Sequence, residues 1–224
     1  MHSLKWLLSA LAFTLLLTFP SEARADCWHV IRDAAAEHDV TVKQTRKGDC
    51  VIEYNGWRSQ PIPVMAIVYG VHEGRAYYVG ALRNGNSLYG WGDDTALYTN
   101  VWYKPRMVEG QIFYAAYTRN TESEIENYVM HGVRTYRPHF IAGIYAKGPV
   151  MFNGEPALLV RRPSGEWSVS VGDVLGTRKF PSNMNWGPDE PSVWGQEVVD
   201  GTLTYYARVS PGVTESYTWV AEAE

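Results

Sequence analysis

The chain predicts a mostly β protein: an antiparallel, hairpin-repeat sandwich or irregular barrel with one N-terminal helix and one short inserted helix. Three observations carry that reading. Runs rich in Val, Tyr, Ile and Trp recur from Val40 onward, alternating or staying apolar for four to seven residues. Turn dipeptides of one kind stand between them: Asn55-Gly56, Glu73-Gly74, Glu109-Gly110, Asn153-Gly154 and Asp200-Gly201. An acidic or amide residue before Gly, flanked by apolar runs, is the strongest short-range hairpin signal. Finally, "EGRAYYVGALRN" (Glu73 to Asn84) is echoed thirty-six residues later by "EGQIFYAAYTRN" (Glu109 to Asn120). An echo at a fixed offset points to a repeated structural unit.

Residues 1–25 read as a cleaved signal peptide. Lys5 supplies a positive start, "WLLSALAFTLLLTF" (Trp6 to Phe19) a short apolar stretch, and Ala23-Arg24-Ala25 a small-x-small cleavage pattern. The apolar run is too short and wrongly flanked for a stable membrane span. The mature chain is expected to begin near Asp26, with 26–224 a single β-rich domain of a size that supports a real core. Without Lys5, Arg24 and Glu22 it carries 18 basic and 23 acidic residues, a net charge of −5. No Lys/Arg cluster offers a phosphate footprint, so nucleic acid is not an expected partner. A polybasic patch for membranes is equally absent from the sequence.

"DCWHVIRDAAAEHD" (26–39) predicts a helix, with Asp26 as cap and Trp28, Ile31 and Ala35 on one face. Cys27 and Cys50 are the two cysteines. In an oxidising compartment they are expected to pair and to staple that helix to the strand beginning at Cys50. No Asn-x-Ser/Thr sequon occurs, and the expected location is a bacterial periplasm or the cell exterior. Strands are predicted at "VTVKQT", "CVIEY", "VMAIVYGV", "AYYVGAL", "NVWYK", "QIFYAAYT", "PALLVRR", "EWSVSVG" and "LTYYARV". The spacing from a turn Gly to the next Gly is eleven in three places: Gly74 to Gly85, Gly154 to Gly165, and Gly201 to Gly212. The second echo instead runs into "NTESEIENYVMHG". There Thr121 and Glu124 fit a capping box and Gly132 a helix stop, which predicts the inserted helix over 122–131.

The stretch "IPVMAIVYGVHEGRAYYVGALRNGNSLYGW" (Ile62 to Trp91) resembles the DM-nine repeat of secreted, lectin-like proteins. The matching positions are Ile62-Pro63, Ala66-Ile67 with Gly70, Gly74, Tyr78-Val79-Gly80-Ala81, and Gly85. "CVIEYNG" (Cys50 to Gly56) resembles the repeat's closing strand. Two positions depart from it: the Arg expected after Tyr-Val-Gly is displaced to Arg83, and the usual Gly-Lys reads Gly90-Trp91. Some members of that family bind mannose, so the resemblance implies a lectin. It carries over no individual binding residue.

The chemistry-bearing motifs are few. No nucleophile elbow, zinc-protease helix, phosphate loop or metal-spaced Cys/His set occurs in the sequence, so no catalytic residue, metal or cofactor is assigned. Trp and Tyr, by contrast, number 9 and 15. Trp57, Tyr89, Trp91, Trp186 and Trp194 fall among turn residues rather than inside the predicted strands. Aromatic faces with adjacent carboxamide or carboxylate acceptors suit sugar rings, and the same composition marks protein hot spots. The candidate ligand-binding residues are Trp91, Asp93 and Asp94 in "GNSLYGWGDD", and Asn185, Trp186 and Asp189 in "FPSNMNWGPDE". Three functions stay open at this point. The first is a non-catalytic binder of a glycan or cell-envelope carbohydrate. The others are an exported inhibitor or immunity-type protein with a protein partner, and a hydrolase working through two carboxylates from different loops.

Overall fold

The computed structural model describes residues 27–120, 124–138, 141–143, 149–181, 192–210 and 212–222. The leader expected over 1–25 lies outside them, as do Asn185, Trp186 and Asp189. Nearly everything described is strand. β1 (Trp28–Ile31) leads through a single helical turn, α1 (Asp33–Ala36), to a three-stranded antiparallel sheet of β2 (Thr41–Gln44), β3 (Cys50–Tyr54) and β4 (Trp57–Arg58). β5 (Met65–His72), β6 (Arg75–Ala81), β7 (Ser87–Trp91) and β8 (Asp94–Tyr98) then form an antiparallel meander, with β1 added in parallel beside β5. A second meander contains β9 (Asn100–Val108), β10 (Gln111–Arg119), β11 (Ile125–His131) and β12 (Arg134–Tyr136).

The third meander has β13 (Ile141–Gly143) and β14 (Val150–Phe152) both pairing with β15 (Glu155–Arg161), followed by β16 (Trp167–Val171) and β17 (Val174–Leu175). β18 (Ser192–Val199), β19 (Thr202–Ser210) and β20 (Val213–Thr218) make the last sheet. Among the described residues no sheet closes on itself, so the architecture there is layered rather than a barrel.

The turn chemistry is as the sequence predicts. In all five dipeptides the first residue has φ of 45–53° and the glycine 70–79°. Positive φ at both central positions is the type I′ turn, whose twist matches that of the flanking strands. A second series is less visible in sequence. Gly92-Asp93, Gly132-Val133 and Gly172-Asp173 close the hairpins Trp91↔Asp94, His131↔Arg134 and Val171↔Val174, with positive φ at the glycine alone. Each of these glycines sends its N–H back to the meander's second strand, at the carbonyls of Ala76, Ile112 and Pro156. The three meanders share one plan, and the two echoed segments supply the same strand of it, β6 and β10.

The sheets stack face to face in chain order. One face of β5–β7, with Ala66, Val68, Ala76 and Tyr78, packs on Cys50 and Ile52 of β3. The opposite face, with Tyr77, Val79 and Tyr89, packs on Val101, Ile112 and Tyr114 of the second meander. Phe113, Ala115 and Val129 then meet Leu158 and Val160, while Leu159, Trp167 and Val169 meet Leu203, Tyr205 and Ala207. A strand with both faces covered has no need to alternate. That is why β6, β10 and β15 read as near-continuous apolar runs.

Two expected helices are corrected. Over 26–39, residues 28–31 are strand β1 and only Asp33–Ala36 is helical, because the edge of β5 offers Trp28–Ile31 a parallel ladder. The disulfide therefore ties the residue preceding a strand, not a helix, to β3. Over 122–131, the described part is β11, paired along β10 from Arg119↔Ile125 to Phe113↔His131. Asn120 and Glu124 do exchange hydrogen bonds, but they close the β10–β11 loop. Gly132, expected to stop a helix, instead opens a hairpin turn. His131, placed at a helix end by the sequence pattern, is a buried strand residue whose Nε2 meets the Val108 carbonyl. The Cys27–Cys50 disulfide is present, with a Cα–Cα distance of 5.4 Å.

The tyrosine-rich core has a consequence at high pH. Burial pushes Tyr78 up to about 12, helped by the Asp93 charge, and pushes Tyr205 up to about 12 as well. Tyr89 and Tyr114 shift further in the same direction, again chiefly through burial. Below pH 10 these phenols are neutral in both folded and unfolded chains, and their contribution is fully present. Above it the unfolded chain ionises first. Each such tyrosine then removes about 1.4 kcal/mol per pH unit until the folded phenol also ionises. Urea unfolding midpoints are expected to be flat from pH 7 to 9 and to fall steeply from 10 to 12. Phenolate absorbance should rise with unfolding. A midpoint that stays level to pH 12 would contradict the buried tyrosine core.

Candidate functional site

The end of the first meander that carries the β7–β8 turn brings together two of the chain's tryptophans, Asp93, Asp94 and Arg75. Trp91 closes β7 opposite Asp94, and the two-residue turn Gly92-Asp93 lies between them. Its indole is half-buried and committed. Nε1 donates to the His72 carbonyl at 3.0 Å, and the imidazole of His72 stacks nearby with ring centroids 5.6 Å apart. The Arg75 guanidinium lies over the ring, its Cζ 3.5 Å from the centroid. Arg75 also pairs with Asp94 at 2.8 Å, where the Asp94 side chain is 75% exposed. A surface pair of this kind stabilises by no more than about 1 kcal/mol, but it holds the guanidinium over the indole. Trp91 thus presents an arginine cap to solvent, and a ligand reaching that face would have to displace Arg75.

Asp93 turns the other way. Its Oδ1 accepts a 2.7 Å hydrogen bond from Nε1 of Trp57, a residue thirty-six positions earlier. Trp57 begins β4, directly across the Asn55-Gly56 turn from Tyr54. The indole leans on buried Tyr78, with ring centroids 6.2 Å apart, and is half-buried. Beside it lies a shallow depression of about 440 Å³, lined by Asp39, Thr41, Glu53, Tyr54, Asn55, Trp57 and Arg58 among others. Glu53 holds Lys43 there. The local sequence explains the arrangement: a tight I′ turn forces Tyr54 and Trp57 side by side, and the hydrogen bond to Asp93 fixes the indole's rotation.

Of the residues that the sequence nominates, Trp91, Asp93 and Asp94 share one hairpin but make separate contacts. Asp93 faces Trp57, whereas Asp94 faces Arg75. Asn185, Trp186 and Asp189 lie outside the described residues. Tyr89, flagged with the loop aromatics, is a core residue stacked on Tyr114 at 4.0 Å. Among the described residues no group of three His, Cys, Asp or Glu side chains converges as a metal site would require. No helix there is long and apolar enough to cross a membrane. Nothing in the sequence singles out Arg75 or gives Trp57 a partner. Its partner sits on a different sheet, and only the fold brings them together. Compared with known proteins, the chain matches no protein-family model and no curated protein.

Proposed function

We propose that this is an exported, non-catalytic protein that binds a glycan through the face formed by Trp57, Tyr54 and Asp93. The observation carrying the reading is the fixed indole of Trp57. Asp93 orients it, Tyr78 backs it, and Asp39, Thr41, Glu53, Asn55 and Arg58 ring the depression beside it with hydrogen-bonding groups. A sugar ring needs this pairing: an aromatic plane for its C–H face and rigid polar groups for its hydroxyls. The disulfide and the leader-like start of the sequence support export. Asp94 remains part of the proposed site's rim through its pair with Arg75, while Trp91 serves to position that arginine.

The test is equilibrium binding of the mature protein to a panel of soluble mannose-containing and cell-wall oligosaccharides, beside Trp57→Ala. Loss of one stacked tryptophan is expected to cost about 2 kcal/mol, roughly thirtyfold in Kd. Melting temperature is measured in parallel, since Trp57 also touches the core. Equal binding by a folded Trp57→Ala variant would sink the assignment. A panel with no binder at all would move the reading to an exported protein partner.

A further inference from the structure

β8 ends the first meander's sheet, with β7 on one side and no described strand on the other. The register says which backbone groups that leaves open. Trp91 and Asp94 flank a two-residue turn and so exchange hydrogen bonds. Ala96 and Tyr98 do the same with Tyr89 and Ser87. Thr95 and Leu97 alternate with them, so their N–H and C=O groups point out of the sheet. Among the described residues no backbone group meets those four. Such a row is a template for another strand.

The long strands at two other edges carry protection that β8 lacks. β9 holds Lys104 and Pro105, and its ladder with β10 shifts register twice. β20 turns Glu215 inward, opposite buried Ala207, and shifts register between Arg208 and Ser210. Charges, proline and bulges are the devices that keep an edge from pairing. β8 is regular along its length and has neither Lys nor Pro. Its one charge, Asp94, stands at the turn, where Arg75 holds it. Between the ends it presents Thr95 and Leu97, the leucine 59% exposed. One exposed leucine is ordinary, but this one stands on an open and unprotected edge.

The strand's own symmetry names the occupant. An antiparallel copy of β8 centred on Ala96 sets Thr95 against Leu97 of the second copy, and the reverse. All the open groups then pair, in four hydrogen bonds. The two leucines become diagonal neighbours across the joint. Asp94 comes opposite Tyr98 of the second copy, so no like charges are set side by side. A joint this short buries much less than the roughly 800 Å² per partner of a stable dimer, so the pairing is weak and reversible.

We propose that two copies of this chain pair antiparallel through β8, about a two-fold axis at Ala96, joining two five-stranded sheets into one. That axis is perpendicular to the sheet, so the same face of both copies looks the same way. Thr95 stands in one row with Gly90 and Tyr78, and Leu97 in one row with Leu88. Tyr78 and Leu88 belong to the cluster on which Trp57 packs. Both Trp57 faces therefore stand on one side of the joint, with the paired leucines between them. A glycan carrying two epitopes is then held at both, and gains avidity without any new contact. This consequence rests on the glycan reading, whereas the pairing does not.

The test is the weight-average mass of the mature protein by sedimentation equilibrium, from about 5 μM to about 500 μM, without glycan. The mass is expected to rise from monomer toward dimer and no further. Leu97→Lys sets two ammonium groups side by side in the joint and should keep the protein monomeric. Its melting temperature should not change, because the side chain replaced is exposed. Val133→Lys, a surface change in the β11–β12 turn, should dimerise like wild type. Amide exchange read by NMR separates edge pairing from any other contact. The Thr95 and Leu97 amides should slow at least about threefold at the highest concentration. A mass that stays monomeric, grows past the dimer, or rises equally in folded Leu97→Lys overturns the proposal. So does a dimer in which both amides exchange as in the monomer, a result that needs no variant. With no glycan present, none of these outcomes bears on the Trp57 assignment.

Discussion

Gly90→Ala should lower the unfolding free energy by about 3 kcal/mol or more. Gly90 stands opposite Tyr78 in the β6–β7 ladder, and the tip of the tyrosine ring lies over it. A Cβ at position 90 would fall inside the van der Waals surface of that ring. The ring has nowhere to go: Tyr78 is 1% exposed and packs with Ile52, Ala66 and Val68. An aromatic laid over a strand glycine covers the backbone that the missing side chain leaves bare. Gly70 and Tyr77 repeat the device across β5 and β6 on the other face. Gly85→Ala is the control. Its added methyl would meet nothing within 4 Å, so only the positive φ of 85° opposes it, at about 1 kcal/mol. Urea unfolding of the two variants beside wild type measures the difference. Equal losses would mean that the Tyr78–Gly90 packing is wrong.

Removing the disulfide, as Cys27→Ala with Cys50→Ala, should cost about 3 kcal/mol, the chain-entropy value for a loop of this length. The bond joins residues 23 apart. It also closes the junction at which β3 and the β1–β5 edge meet. Cys27 N–H bonds the Gly48 carbonyl, and Cys50 exchanges backbone hydrogen bonds with Ile62. Both cysteines are buried among Ala35, Val40 and Ile52. Intact mass should rise by two hydrogens on reduction, and the urea midpoint should fall with it. Alkylation of both thiols in the unreduced, folded protein would contradict the pairing.

Legibility in the sequence followed locality. The I′ turns at Asn55-Gly56 and its four counterparts were readable because two adjacent residues decide a hairpin through their own φ preference. The expected pairing of Cys27 with Cys50 needed only a count and a compartment. The helices expected over 26–39 and 122–131 failed for the opposite reason. Capping residues and an i, i+3 stripe are local signals, and a free strand edge, on β5 or β10, outweighed them. Long apolar runs announced strands, but not that each meander is covered on both faces by its neighbours. That stacking also decides the sites. Asp93 was nominated from its place beside Trp91, yet the indole it holds is Trp57.

The most direct measurement of the central claim is an NMR titration of the mature protein with oligosaccharides, read at the indole N–H resonances. The Trp57 signal, set by its hydrogen bond to Asp93, is expected to shift saturably with a bound glycan. That of Trp91, held by the His72 carbonyl under Arg75, should move little. A glycan that binds while the Trp57 resonance stays in place would contradict the account.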